Sequence, residues 1–218
     1  VLKNRLENYV IPQKEFFTFT TSEGIELNGY MIKPNGFDET KKYPVLITQY
    51  SGPNSQSVSD SWGGVGWNHY LAQEGFLIVS VDPRGTAARG EAFRKATYLQ
   101  LGKYESDDMV ETAKYLNTLP YVDDSNIAIF GWSYGGFMTC LTMEKGGSLF
   151  KAGIAVAPVT SWRFYDTIYT ERYMRTPQEN PEGYDQNSPL FFAGDIEGRL
   201  LIVHGSAECK ISFHIPLR

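Results

Sequence analysis

The stretch Asn126-Ile127-Ala128-Ile129-Phe130-Gly131-Trp132-Ser133-Tyr134-Gly135-Gly136 decides the fold. Its first half is a short, nearly continuous apolar run, the pattern of a strand buried on both faces of a parallel sheet. Its second half reads Gly-x-Ser-x-Gly, and the segment that follows, through Glu144, has no proline and can be helical. Strand, serine turn and helix in immediate succession form a nucleophile elbow, in which the serine sits at a strained turn and small neighbours admit close backbone approach. Five-residue matches also arise by chance in glycine-rich loops; the flanking strand and helix separate the two cases. A serine hydroxyl is a weak nucleophile until a neighbouring base takes its proton. The first N–H groups of the helix can receive the charge that develops on an attacked carbonyl. Ser133 is therefore the candidate nucleophile and the Tyr134 N–H a candidate oxyanion donor. A phosphate-cradling loop is the competing reading, but it needs Lys-Ser or Lys-Thr after the glycines, and Phe137-Met138 stand there.

Working outward, residues 16–21 and 25–32 are β-rich runs joined by Ser22-Glu23-Gly24, a predicted hairpin. Residues 44–50 and 76–82 are further buried strands, with a helix over 67–73 between them. Met109, Val110, Ala113, Tyr115 and Leu116 fall at helical spacing behind an acidic first turn, which predicts a helix over 105–119. Residues 152–159 and 200–204 complete the set of strands. The alternation of strand and helix predicts an α/β fold with a mainly parallel sheet covered on both faces. Residues 170–187, rich in charge, Pro and Gly, read as an excursion between strands. No repeat, low-complexity tract or composition shift marks a second folded domain.

The chain has 218 residues, enough for one α/β domain with a sizeable core. A net charge of −5, without a block of like charges, gives no nucleic-acid footprint and no polybasic membrane patch. Cys140 and Cys209 are the only cysteines, which excludes a disulfide scaffold and argues against a metal site. Cys140 is expected to be an inert core thiol. No stretch approaches ~18 apolar residues, and the opening Val1-Leu2-Lys3-Asn4-Arg5 lacks the pattern of a secretion signal. A start on Val in mid-pattern is expected of a piece of something longer, with any signal or anchor upstream.

The serine motif is accompanied by Tyr50-Ser51-Gly52-Pro53, Asp82-Pro83-Arg84-Gly85-Thr86, and Trp162-Arg163-Phe164-Tyr165-Asp166 running on to Tyr169-Thr170-Glu171-Arg172-Tyr173-Met174. On these markers the chain resembles the dipeptidyl peptidase IV group of the prolyl oligopeptidase serine peptidase family, from about residue 14 to residue 207. The aromatic run is the most specific of them, since a generic esterase would share only the elbow. The resemblance implies an α/β-hydrolase fold, with residues 1–14 as a linker from an upstream β-propeller, 15–207 as the peptidase domain and 208–218 as an anomalous tail. It implies release of N-terminal dipeptides from peptides with Pro or Ala at the second position, without a cofactor. It also implies an extracytoplasmic location (periplasmic, cell surface or secreted) and a homodimer in the full-length parent. A related oligopeptidase, acylaminoacyl peptidase or esterase, or a non-catalytic fragment, is the alternative.

By the same resemblance Tyr50 supplies a hydroxyl to the oxyanion hole, a role that suits a phenol fixed at the end of a buried strand. A strand-end tyrosine with its hydroxyl in water is the plainer reading. Val159, Trp162, Tyr165 and Tyr169 resemble the walls of a proline-sized pocket, because an apolar aromatic box favours a compact ring. At this spacing aromatic residues also serve as core.

The pattern breaks after Ala207. Where the family runs Gly-Ser/Thr-Ala-Asp-Asp-Asn-Val, this chain has Gly205-Ser206-Ala207-Glu208-Cys209-Lys210-Ile211 and stops at Arg218. Glu208 falls at the position of the triad acid, with an extra methylene that shifts its carboxylate, and Lys210 replaces an asparagine that holds substrate. Of the three histidines, His69 lies in the early helix, His204 is expected as a hydrogen-bonded core residue in a buried strand, and His214 follows Glu208 too closely to return to the serine. This predicts a truncated or frame-shifted end, with the last helix and strand and the catalytic histidine missing and the chain alone inactive. It further predicts that one sheet edge and part of the core are left uncovered.

Overall fold

The computed structural model describes residues 6–206 of the protein. One seven-stranded sheet in the order β1-β2-β4-β3-β5-β6-β7 organises it. β1 (Lys14–Thr20) and β2 (Glu26–Ile32) form the predicted hairpin. β2 also pairs antiparallel with β4 (Leu77–Asp82), and from there β3 (Tyr43–Thr48), β5 (Val122–Trp132), β6 (Ala152–Val156) and β7 (Arg199–Val203) are all parallel. The parallel part is the mainly parallel sheet of the sequence reading; the antiparallel pairs are confined to its N-terminal side.

Alternation along the strands divides the core between the two faces. Leu77, Val79 and Val81 of β4 join Leu27, Met31, Val45, Ile47, Ile127 and Ile129 against α3 (Lys103–Leu116), through Met109, Ala113 and Leu116. Ile78, between them, points to the other face, where it packs with Tyr30, Ile32 and Ala72 of α1 (Trp67–Gln73). A third cluster surrounds α4 (Tyr134–Gly146), whose residues from Tyr134 to Glu144 are all buried. α4 is apolar on all sides because strands, α3 and the segment after β6 enclose it.

The short helix α2 (Glu91–Lys95) is absent from the sequence reading, as are two helices inside or beside the predicted excursion. α5 (Thr167–Met174) starts at Asp166, whose side chain accepts from the Tyr169 N–H at 2.8 Å. α6 (Pro181–Asp185) starts at Asn180, which accepts from the Gly183 N–H, with Pro181 in the first turn where its missing N–H costs nothing. Charge, Pro and Gly drew attention to irregularity there, whereas two of those polar residues are caps. β6 stops at Val156, short of the predicted end, because Ala157 turns to φ 45° and Pro158 follows.

The sharpest departure is β7. Its apolar sequence reads as a buried strand, yet Leu201, Ile202 and Val203 are 56, 38 and 45% exposed. Among the described residues β7 lies at the sheet's edge with β6 as its neighbour, so its burial depends on what covers it. His204, expected inside this strand as a core residue, stands just beyond it and is half-buried, its Nδ1 3.0 Å from the Gly205 carbonyl oxygen.

Candidate active site

β5 delivers Ser133 to the C-terminal end of the parallel strands, where α/β folds bind ligands. Ser133 has φ 59° and ψ −115°, a conformation that a non-glycine residue adopts only under constraint. The constraints are visible. Its N–H donates to the Val156 carbonyl at 2.8 Å, tying the turn to the end of β6, and its own carbonyl accepts from the Phe137 N–H at 3.0 Å as the first bond of α4.

Each motif glycine answers a close approach. A Cβ on Gly131 would collide with the Gly135 carbonyl and the Gln49 amide; one on Gly135 would lie 2.6 Å from the Gln49 carbonyl oxygen. One on Gly136 would lie 2.7 Å from the Val156 carbonyl oxygen. The strand, the turn and the end of β3 are thus pressed together at backbone distance, and Ser133, half-buried, emerges from that knot.

Tyr134 follows Ser133 and is fully enclosed. Its hydroxyl donates to Glu105 Oε1 at 2.6 Å, and Glu105 Oε2 accepts from the Gly102 N–H at 3.0 Å. Burial pushes the Glu105 carboxyl up to about 7, against the pull of these two donors, and drives the Tyr134 phenol well above its ordinary value. The sequence showed Glu105 only as an acidic residue in a helix's first turn; its role as partner to Tyr134 depends on a contact 29 residues away.

Tyr50 lies just past β3 on a loop in which Ser51 takes φ 63°. A Cβ on Gly52 would fall 2.6 Å from the Tyr50 ring, so this glycine makes room for it. The Tyr50 ring is 42% exposed, wetter than a strand-end position suggests, and its centroid lies 6.1 Å from that of Tyr134. Burial of its inner face, with the Tyr165 and Tyr173 phenols nearby, raises its pKa and keeps it a neutral donor.

The aromatic residues after β6 gather on Tyr134. Trp162 stands 5.4 Å from Tyr134, 5.6 Å from Tyr165 and 5.8 Å from Tyr169, while Tyr165 and Tyr169 meet edge to face at 5.5 Å. Val159 and Trp162 are buried with Leu101, Phe137, Met138 and Leu141 in the cluster around α4, whereas Tyr165 and Tyr169 are half-buried at its rim. The buried core and its half-buried aromatic rim are therefore one packed cluster. The Trp162 indole N–H is buried without a hydrogen-bond partner among the described residues. Tyr173, on α5 one turn beyond Tyr169 and 5.1 Å from it, extends the set beyond the predicted residues.

His69 sits in α1, where its Nδ1 accepts from the Gly66 N–H at 3.4 Å; burial and Lys14 lower its pKa. Glu208, Lys210 and His214 lie outside the described residues, as does Cys209. Cys140 is buried in α4 and its thiol is pushed up to about 12 by desolvation, which keeps it protonated. Among the described residues no group of His, Cys, Asp or Glu is arranged to hold a metal ion. No helix among them is long and apolar enough to cross a membrane.

Comparison with known proteins gives this geometry a context. The model of the prolyl oligopeptidase family matches residues 64–217. Dipeptidyl aminopeptidase B of Saccharomyces cerevisiae is 42% identical over 228 residues, covering 100% of this chain and 28% of its own length. A probable dipeptidyl-aminopeptidase B of Metarhizium robertsii is 44% identical over 220 residues, covering 100% of this chain and 24% of its own. The crystal structure of Porphyromonas gingivalis dipeptidyl peptidase 4 superposes with a TM-score of 0.94 at 51% identity, over 98% of this chain and 30% of that one. The chain thus spans about a quarter of the length of the curated relatives it matches.

Proposed function

The chain belongs to the prolyl oligopeptidase family, and from that membership we propose that it forms part of the catalytic domain of a serine exopeptidase of the dipeptidyl peptidase IV type. In this reading the full-length protein releases N-terminal dipeptides with Pro or Ala at the second position through an acyl-enzyme on Ser133. The observation that carries it is the elbow itself: a serine held at φ 59° between β5 and α4, with an aromatic box built onto the very next residue.

The chemistry follows from the placement. Ser133 Oγ attacks the carbonyl carbon of the second substrate residue while its proton passes to a base, which the proposal locates outside residues 6–206. The carbonyl oxygen becomes an oxyanion and takes hydrogen bonds from the Tyr134 N–H and the Tyr50 hydroxyl. Collapse of the tetrahedral intermediate breaks the peptide bond, the base returns its proton to the leaving amine, and water then hydrolyses the ester by the same route. Val159, Trp162, Tyr165 and Tyr169 favour a compact ring beside the scissile bond, since an apolar aromatic wall gains little from a long or charged side chain. Glu208 is assigned the position of the acid and Lys210 a place at the substrate.

The family resemblance carries three further parts of the proposal for the full-length protein: an upstream β-propeller, an extracytoplasmic location and a homodimer. The test of the central part is turnover of Xaa-Pro p-nitroanilides by the full-length protein. Cleavage of simple esters or acetylated residues without Xaa-Pro turnover would replace this reading with that of a related oligopeptidase or esterase.

A further inference from the structure

Gln49 is 8% exposed and follows the buried Val45 and Ile47 at the period of a strand, in a position where the two preceding inward residues are apolar. Burying a primary amide is unfavourable unless its hydrogen bonds are made. Here they are made on both sides. Its backbone N–H continues the ladder with β5, donating to the Phe130 carbonyl at 3.1 Å. Its side-chain Nε2 donates to the Gly135 carbonyl at 2.8 Å and approaches Thr139 Oγ1 at 3.4 Å, while Thr139 Oγ1 itself donates to the same carbonyl at 2.9 Å. Its Oε1 accepts from Ser51 Oγ at 2.9 Å. The direction of the amide is fixed by chemistry, because the reverse orientation would set an oxygen against the Gly135 carbonyl oxygen.

These contacts join the two halves of the oxyanion site. Ser51 and Gln49 flank Tyr50 on either side along the chain, and Ser51 is held at φ 63°, so the brace fixes the turn that aims the Tyr50 ring. Gly135 directly follows Tyr134, so the same amide grips the first turn of α4 one residue from the N–H that faces the oxyanion. We propose that Gln49 is a positioning residue that sets the spacing between the Tyr50 hydroxyl and the Tyr134 N–H. The proposal rests on the reading of Ser133 as the nucleophile of an acyl-transfer site. An apolar residue of similar volume would keep the packing and lose the spacing.

The experiment is a double-mutant cycle in the full-length protein with Gln49→Leu, Tyr50→Phe and the pair. It is read both as kcat and KM on an Xaa-Pro p-nitroanilide and as the rate at which a fluorophosphonate labels Ser133. Removing a single oxyanion donor costs about 100- to 1,000-fold in kcat, and misaiming one through Gln49→Leu is expected to cost about 10- to 100-fold with KM within about twofold. In the Tyr50→Phe background most of that penalty should vanish, because the donor being aimed is gone. Ser51→Ala, which cuts only the Oε1 arm, should give a smaller loss that disappears in the same background, and it serves if Gln49→Leu does not fold. A penalty of equal size with and without the Tyr50 hydroxyl, or one carried in KM alone, would reduce Gln49 to packing and overturn the proposal. If the parent protein labels at Ser133 but turns over no Xaa-Pro substrate, the dipeptidyl peptidase reading fails while the labelling cycle still decides the role of Gln49.

Discussion

β5 and β7 are parallel strands of the same sheet, each carrying an apolar run (Ile127 to Phe130 and Leu200 to Val203), and those runs meet opposite fates. β5 lies between β3 and β6, is covered by α3 and α4, and ends in a serine whose turn is dictated by backbone contacts from β6, α4 and the end of β3. β7 is the outer strand, paired to β6, with Leu201, Ile202 and Val203 open. The difference teaches that an apolar run records what a strand is suited to bury, while its neighbours decide what it does bury. It also separates two kinds of functional position. The turn at Ser133 is over-determined within residues 6–206, whereas Glu208, proposed as the acid, lies outside them.

The comparison can be broken most severely at the nucleophile. Ser133→Ala in the full-length protein should lower Xaa-Pro turnover by about four to six orders of magnitude, with a thermal midpoint close to that of the parent; activity within tenfold of the parent would remove Ser133 from the chemistry. A second test sharpens the contrast by adding one methyl at each end of the contrast. Gly135→Ala would set a Cβ 2.6 Å from the Gln49 carbonyl oxygen, and such overpacking should destabilise by about 1–3 kcal/mol and cut turnover at least a hundredfold. Gly194→Ala, in the turn before β7 with nothing within 4 Å of the added Cβ, should change stability by less than about 0.5 kcal/mol. Equal effects at the two sites would contradict the picture of a tight elbow and an open edge.

A third prediction concerns the support beneath β4 and α3. Arg84 donates to the fully buried Asp108 from Nη2 at 2.7 Å, from Nε to both carboxylate oxygens at 3.1 Å and from its backbone N–H at 2.8 Å, and its guanidinium lies 4.3 Å from the Tyr104 ring. Arg84→Leu leaves a buried carboxylate without its cation and should destabilise by about 3–5 kcal/mol, measured by denaturant or thermal unfolding. Asp108→Asn, which keeps a hydrogen-bonding partner, should cost less.

A fourth prediction is a pH dependence. Glu105 has an ordinary value of 4.5 and is held at about 7 in the folded protein. Between those values the folded state keeps a proton that the unfolded chain has lost, so stability falls as pH rises from 4.5 through 7. The loss is on the order of 3 kcal/mol at full size. Glu105→Gln should flatten that part of the fall, leaving the contribution of Glu144, which burial and Asp195 hold at about 8. Thermal midpoints from pH 5 to pH 8 measure it, and an unchanged slope in Glu105→Gln would show that Glu105 is not the group titrating.

Much of this was legible in the sequence because the decisive signals are local. The elbow is a five-residue pattern between a strand and a helix, and α1 and the N-terminal hairpin follow from spacing and turn residues within a dozen positions. What could not be read depends on contacts distant in sequence. Gln49 looks like a polar interruption of a strand until it meets Gly135, 86 residues on. Glu105 looks like a dipole-favoured acid until it meets Tyr134. α5 and α6 were concealed by their own caps, since Asp166, Asn180 and Pro181 count as loop residues in composition and as helix starts in geometry. The exposure of β7 has no signal in the strand's own letters; an uncovered sheet edge was legible only through the break in the family pattern after Ala207.

The central claim is that Ser133 is the activated nucleophile. Its most direct test is to treat the full-length protein with a fluorophosphonate and map the adduct by peptide mass spectrometry, with and without a saturating peptide that begins Xaa-Pro and continues beyond the proline. The account predicts one adduct, on Ser133, whose formation slows as the Xaa-Pro peptide occupies the site. An adduct on another residue, or Xaa-Pro turnover that persists after Ser133 is fully modified, would contradict it.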